Sequence, residues 1–362
     1  MQGVVRNRMR AWRVPVVGVS LLAAGGWGLF LVASLVFPHL APVFWVQFTI
    51  DLFVLALFGL SLNLLMGYGG MVSFGHAAYY ALGAYAAALL AKKAGVPMPL
   101  AFLLGPFFAA GGAMVFGFFA VRLTAIYFAM LTLAFSQIVF AVVFKWTKFT
   151  GGDDGIQGVW PIKVLAAPPV SNNYYYFTLG IVLVCALILY LIVNSPFGYT
   201  LRAIRENPRR AEMTGVNVRL HQWVAFVIAG FFAGVAGSLF VFFQGSVNPD
   251  YAGVARSTDP LIVALLGGMH NFLGPAVGSL LYKVIFFYVG RQFPFLWQLI
   301  VGIILVGVIL IFPGGVLGFV EERRWQRLAF WRRKATTAHP VPGKAEVEAP
   351  PPSSAGGRES GG

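Results

Sequence analysis

Residues 174–243 read YYYFTLGIVLVCALILYLIVNSPFGYTLRAIRENPRRAEMTGVNVRLHQWVAFVIAGFFAGVAGSLFVFF, and the way this stretch divides decides the fold. Its two flanking runs, 174–193 and 222–243, carry no charged residue. Each is long enough, at about 1.5 Å per helical residue, to cross the roughly 30 Å of hydrocarbon in a bilayer. Between them lies an arginine-rich segment that a bilayer core does not accept. A chain built in this way crosses a membrane, turns in water and crosses back.

Runs of the same kind lie near 14–36, 43–66, 70–91, 99–120, 125–144, 258–279, 281–293 and 297–312, for about ten helices in all, the run at 281–293 being short. With 59% hydrophobic and only 10% charged residues, the chain holds far more apolar surface than a soluble domain of 362 residues exposes. The expected fold class is therefore all-α, a polytopic integral membrane helix bundle, and the recurrence of the runs excludes a soluble domain on a single anchor. The first run, Val14 to Val36, follows a leader containing Arg6, Arg8, Arg10 and Arg13. It exceeds the roughly 7–15 residues of a secretory h-region and reads as a retained span. The lone cysteine, Cys185, sits inside an apolar run, so disulfides and cysteine-based metal sites within one chain are excluded.

An even number of spans puts both termini on one side. Arg6 to Arg13, Arg122, the loop from Arg202 to Arg219, Lys283 and the cluster from Arg323 to Lys334 share one face, which the positive-inside rule makes cytoplasmic. Lys92, Lys93, Lys145, Lys148, Lys163, Arg256 and Arg291 fall on the other, with Lys92 and Lys93 the clearest violation. The expected organisation is a basic cytoplasmic segment at 1–13, a transmembrane domain at 14–320, and a tail at 321–362. The tail is basic at first, then too rich in Pro, Gly, Ser and Glu to order itself. The formal charge of +14 sits beside the spans rather than in a free basic domain, so it reports orientation and lipid contact and points to no nucleic acid.

Gly and Ala fill many spans, as in GHAAYYALGAYAAALL and AGFFAGVAGSLF. Small residues let helix backbones approach where lipid gives no hydrophobic drive for association, so a tightly packed bundle is expected. Asp51, Ala56, Leu57, Gly59, Asn63 and Leu65 recur at identical spacing as Asp259, Ala264, Leu265, Gly267, Asn271 and Leu273. A parallel internal repeat and chance in apolar sequence both account for six such matches.

The polar loop at 195–221 carries its own helix signals. Asn207 is an N-cap residue, Pro208 takes the first helical position, and Gly215 stands where a left-handed C-terminal cap belongs, defining about two turns. Upstream, Leu201, Ile204 and Tyr199 share a face that Arg202 and Arg205 do not. So short a helix needs a docking surface. Two readings stand: the arginines fix topology and meet lipid phosphates, or the element receives a push from a motor or regulatory protein.

Among the spans, Asn63, Ser73 and His76 gather near the glycine break at 67–70. Glycines there either open a kink onto a solute path, tolerated at membrane depth only beside protein or water, or make a plain interhelical turn. The glycine spacing from Gly70 to Gly75 is that of a phosphate loop, but His76 and Ala77 stand where Lys and Ser or Thr are required, so it is no nucleotide site. Thr132, Ser136 and Gln137 offer hydrogen bonds either to a solute or to a neighbouring helix. Asp51, a charge within a span, is a functional candidate by default. The Thr258-Asp259-Pro260 triplet reads as a helix start with its acid at the positive dipole end, while Arg256 and His270 are placed near interfaces.

FGYTLRAIRENPRRAEMTGVNV at 197–218 resembles the cytoplasmic coupling loop of LivM-type permease subunits of branched-chain amino acid ABC importers. The resemblance extends through LNLLMGYGGMVSFGHAAYYALGAY at 62–85, IYFAMLTLAFSQIVF at 126–140, TGGDDGIQGV at 150–159, AFVIAGFFAGVAGSLF at 225–240 and LLGGMHNFLGPAVGS at 265–279, in the family's order. It implies a second related permease subunit, two cytoplasmic ABC ATPase subunits, an external solute-binding protein and residence in a bacterial inner membrane. It also implies that Arg202, Arg205, Glu206, Asn207, Pro208, Arg209, Arg210, Glu212 and Gly215 couple the chain to an ATPase. No cofactor is implied, and hydrolysis belongs to the partners. A permease for urea or short amides is the nearest alternative. An ion-coupled secondary transporter using Asp51 is the next, and no HExxH or nucleophile–base constellation supports an enzyme.

Overall fold

Uninterrupted apolar sequence at membrane depth must satisfy its backbone internally, which leaves the helix as the available form for a chain without long alternating strands. The computed structural model describes residues 34–123, 125–161, 170–292, 296–311 and 314–318. The leader at 1–13, most of the first expected span and the tail at 321–362 lie outside the described residues. The elements are α1 (Val43–Asn63), continued by a π-helical turn at Leu64–Tyr68, α2 (Ala77–Lys92), α3 (Met98–Ala120), α4 (Ala125–Lys145), α5 (Val170–Val193), α6 (Pro196–Glu206), α7 (Pro208–Met213), α8 (Val218–Gln244), α9 (Val254–Gly267), α10 (Gly274–Gln292) and α11 (Trp297–Ile311). Two residue pairs, Ile156 with Val247 and Gln157 with Ser246, join the segments after α4 and α8 as an antiparallel strand pair at the end opposite α6.

Among the described residues five helices are long and apolar enough to cross a membrane: Val43–Tyr68, Met98–Ala120, Ala125–Lys145, Asn172–Val193 and Val218–Gln244. These match the expected runs at 43–66, 99–120, 125–144, 174–193 and 222–243. The run expected at 70–91 becomes helical only at Ala77, and the runs expected at 258–279 and 281–293 divide elsewhere. There α9 ends at Gly267, Gly268 takes a φ of +106° that a side chain rarely adopts, and α10 then continues unbroken through residue 280.

The small-residue stripes pack as their composition requires. On α8, Gly230 and Gly234 face Ala113 and Ala109 of α3, while Gly237 lies against the Tyr80 carbonyl of α2. Gly83 of α2 faces Gly234 so closely that a Cβ there would stand 2.5 Å from its Cα. Ser238 Oγ donates across this seam to the Gly83 carbonyl at 3.1 Å. Helices α1 and α9 run parallel, with Leu62 and Met66 packed on Leu261 and Ala264. Asn63 Nδ2 donates to the Asn271 carbonyl at 3.4 Å, so two residues matched in the sequence repeat meet in space.

Two helices are only partial crossings. The start of α2 is level with Phe226 and Gly230 of α8, about ten residues or roughly 15 Å above that helix's own start. The 14-residue α9 starts beside α4's midpoint, where Ser136 Oγ donates to the Ala252 carbonyl at 2.8 Å. The two starts touch: Ala77 N donates to Ser257 Oγ at 3.2 Å.

Candidate functional site

The loop expected at 195–221 folds as two short helices and the first turn of α8. Pro196 opens α6, whose apolar face buries Leu201 and Ile204 while Tyr199 stays 44% exposed. Asn207 Oδ1 accepts from Arg210 N at 3.0 Å, capping α7, and Pro208 takes its first position because a proline lacks the N–H that would go unpaired there. After α7 the chain reverses at Gly215, φ +87°, with Gly215 N donating to the Glu212 carbonyl and Val216 N to that of Ala211. Ile204, Ala211, Val216 and Val218 form a small core that holds α6, α7 and α8 together. Arg209, Arg210 and Glu212 are exposed, and Met213, an apolar side chain, is 87% exposed.

The arginines of α6 point into the bundle's end rather than to solvent alone. Arg205 Nη1 donates to the Gly67 carbonyl within the π turn, one of the last carbonyls of the helix, which has no amide ahead of it to take. Its side chain also passes over Gly70, whose φ is +70°. Arg202 Nη2 donates to the Val193 carbonyl at 3.3 Å, and its guanidinium lies over the rings of Tyr68 and Tyr199 at 4.9 and 5.2 Å. Two side chains of α6 thus hold the end of α1.

From that end the backbone runs unwound through residues 69–76 into the body of the bundle. Its polar groups are met from outside the segment: Thr132 Oγ1 accepts from Phe74 N at 3.2 Å, and Gly75 lies against the Thr132 carbonyl where no Cβ fits. Such backbone at membrane depth is tolerated because protein surrounds it. Asn63, Ser73, His76 and Thr132 are all within 1% of full burial. Three of their atoms, Asn63 Oδ1, Ser73 Oγ and His76 Nδ1, are buried without a hydrogen-bond partner. His76 Nε2 lies 2.9 Å from Ser61 Oγ, and the ring stacks on Phe58. A break ringed by unpaired polar atoms is what a water or a polar solute group satisfies.

The structure separates the other two path candidates from this break. Gln137 is exposed on the outer side of α4, and Asp51 lies about two turns into α1 from its opposite end. There Asp51 pairs with Lys283, which stands at the middle of α10 and not at the cytoplasmic face expected for it. Nearby, Arg256 Nη1 meets Asp259 Oδ2 at 3.0 Å, Arg256 Nη2 donates to Tyr80 OH at 2.8 Å, and Tyr282 OH donates to Asp259 Oδ1 at 2.8 Å. Tyr282, which bonds Asp259, directly precedes Lys283 in α10, so that helix carries a partner of each acid. The expected helix start at Asp259 is therefore incorrect. The helix begins at Val254, and Asp259 answers Arg256 one turn earlier on the same face. Arg256 is likewise no interface residue: it is enclosed by the Tyr80 and Phe240 rings at 4.8 and 5.0 Å. Arg256, Asp259, Lys283, Tyr80 and Tyr282 were not read as a site from the sequence. The signal that finds them is charge within or beside apolar runs, at Asp51, Arg256, Asp259 and Lys283.

The model of the family described as branched-chain amino acid transport system / permease component matches residues 44–309. The high-affinity branched-chain amino acid transport system permease protein LivM of Escherichia coli (strain K12) is 30% identical over 285 residues, covering 71% of this chain and 67% of the relative. The probable branched-chain amino acid transport permease protein LivH of Methanocaldococcus jannaschii is 24% identical over 77% of this chain and 92% of its own length. The nucleoside ABC transporter permease protein NupC of Lactococcus lactis subsp. cremoris is 27% identical over 34% of this chain and 41% of its own. No solved structure matches the chain.

Proposed function

The chain belongs to the family of branched-chain amino acid transport system permease components, and on that premise we propose that it is the membrane subunit of an ATP-driven importer for branched-chain or related amino acids. It is a multi-pass transport component and not an enzyme. It sits in a bacterial inner membrane with α6, α7 and both termini on the cytoplasmic side. It pairs with a second, related permease subunit, docks two ATPases from the cytoplasm and receives solute from an external binding protein. The tie from α6 to the unwound segment carries this reading: Arg205 holds the Gly67 carbonyl and packs on Gly70. When the ATPases close on α7, the push reaches the π turn through that arginine and moves residues 69–76 against α4. Asn63 passes the displacement on to the α9–α10 break through the Asn271 carbonyl. Coupling then requires no long wire, because the driven helix already touches the segment that lines the break.

A second reading, an uncharged nucleoside as the solute, is favoured by the nucleoside permease relatives. Docking and sidedness are tested together by Met213→Cys. The native Cys185 is buried and stays silent toward polar reagents. The introduced thiol is expected to cross-link to an ATPase subunit and to resist an impermeant maleimide added to whole cells. Labelling from outside the cell would overturn the assignment.

A further inference from the structure

We propose that the four charges in the middle of the bundle form a binding station for a zwitterionic solute, with Arg256 receiving its carboxylate and Asp259 or Asp51 its ammonium. The inference rests on the importer reading above and adds to it a site and a class of solute. Charges inside a membrane bundle are retained where they pair with each other or with what passes. Here two acids and two bases sum to zero, and the side chains of Arg256, Asp259, Lys283 and Asp51 keep 19, 17, 14 and 27% of their surface exposed, so they are desolvated without being sealed.

Arg256 has hydrogen-bonding capacity that the fold does not use. Nη1 serves Asp259 and Nη2 serves Tyr80, but Nε is buried without a partner. A guanidinium edge of Nε and Nη2 donates two parallel hydrogen bonds to a carboxylate, and this requires only that Tyr80 OH give way. The site lies in the first turn of α9, a helix that begins inside the bundle, so the positive end of its dipole adds to the attraction for an anionic group. The Tyr80 and Phe240 rings flank the guanidinium and Tyr251 packs on both, giving apolar surface beside the charges.

A zwitterion joins such pairs without a net change of charge. Its carboxylate takes the Nε–Nη2 edge in place of Tyr80 OH, and its ammonium shares the carboxylate of Asp259 or Asp51. An uncharged nucleoside or urea supplies neither partner. The arrangement therefore favours brief, weak occupancy by amino acids and selects against uncharged solutes. A purely structural cluster would instead serve only to fasten α1, α9 and α10.

The test uses the assembled transporter, with its ATPases and binding protein, in proteoliposomes. The double variant R256Q/D259N keeps hydrogen-bonding groups for Tyr80 and Tyr282 and removes both charges. Radiolabelled leucine uptake at saturating binding protein is expected to fall about tenfold or more. R256K, which retains the charge, is expected to recover part of the rate. Leucine uptake within about twofold of wild type would overturn the station. If that variant does not assemble, D51N/K283Q neutralises the other half and is judged by the same numbers. A wild-type complex that moves guanosine and no amino acid would overturn the solute class itself, and the station with it. Leucine uptake by wild type, unchanged in the double variants, would overturn the station alone.

Discussion

Gly70→Ala places a methyl group where α6 meets the unwound segment, and its consequences follow from two distances and one angle. Gly70 has a φ of +70°, so alanine there carries left-handed strain of about 1–2 kcal/mol. The new Cβ would stand 2.6 Å from Arg205 Cγ, 3.3 Å from its Cβ and 3.5 Å from its Cα. Carbon atoms settle at about 3.5–4.0 Å, so Arg205 must withdraw by roughly 1 Å, and because its own Cα is in contact the retreat moves α6 as well. That retreat lengthens the bond from Nη1 to the Gly67 carbonyl, a charged hydrogen bond of about 1.5–3 kcal/mol, and loosens the hold of α6 on the π turn. The strain of about 1–2 kcal/mol and the weakened bond are concentrated at the proposed point of coupling. Gly215→Ala supplies the control: its φ is +87° but nothing lies within 4 Å of the added Cβ, so only the strain remains. With both variants assembled in nanodiscs, ATP hydrolysed is measured against solute delivered. The Gly70→Ala complex is expected to hydrolyse ATP with little uptake, and the Gly215→Ala complex to lose stability without losing coupling as severely. Equal coupling in Gly70→Ala and wild type would refute the role given to the Arg205 contact.

Gly83→Ala brings a Cβ to 2.5 Å from Gly234 Cα, so α2 and α8 must part by about 1 Å. The expected loss is about 1–3 kcal/mol, read as a lower thermal midpoint of the purified chain in detergent. Asn207→Ala removes the cap on α7 and is expected to cost about 1 kcal/mol, visible as faster hydrogen exchange at the Arg210 amide. His270, in the α9–α10 connection, has its pKa lowered by desolvation and then by Arg205. The fold thus binds that proton less readily than the unfolded chain does, so its stability is full above about pH 6.5 and falls as the pH drops below it. A thermal midpoint measured from about pH 7.5 down to 5 should fall less steeply in His270→Asn than in wild type.

The long spans and the α6–α7 element were legible in the sequence because local chemistry alone sets them. Five uninterrupted apolar runs became five long helices, and Asn207, Pro208 and Gly215 marked the limits of α7. The partial helices were not legible. YGGMVSFGHAAYY is apolar or small apart from Ser73 and His76, and no periodicity separates an extended stretch from a helical one in such sequence. What holds 69–76 unwound is tertiary: the Thr132 hydroxyl receives the Phe74 amide, and the Ser257 hydroxyl receives that of Ala77 where α2 begins. Pro260 also misled, since a proline after Thr-Asp resembles a helix start. Here it lies inside α9 and frees the carbonyl of Arg256. The ion pairs join residues far apart in the chain, as Asp51 with Lys283, and only the fold brings them together.

The proposed function requires that this bundle move solute only when driven from its cytoplasmic face by separate ATPases. Its most direct measurement is uptake of radiolabelled leucine into proteoliposomes holding this chain alone or the full assembly with second permease, ATPases, binding protein and ATP. The account predicts none for the lone chain under any proton or sodium gradient and ATP-dependent uptake for the assembly. Gradient-driven uptake by the lone polypeptide would contradict it.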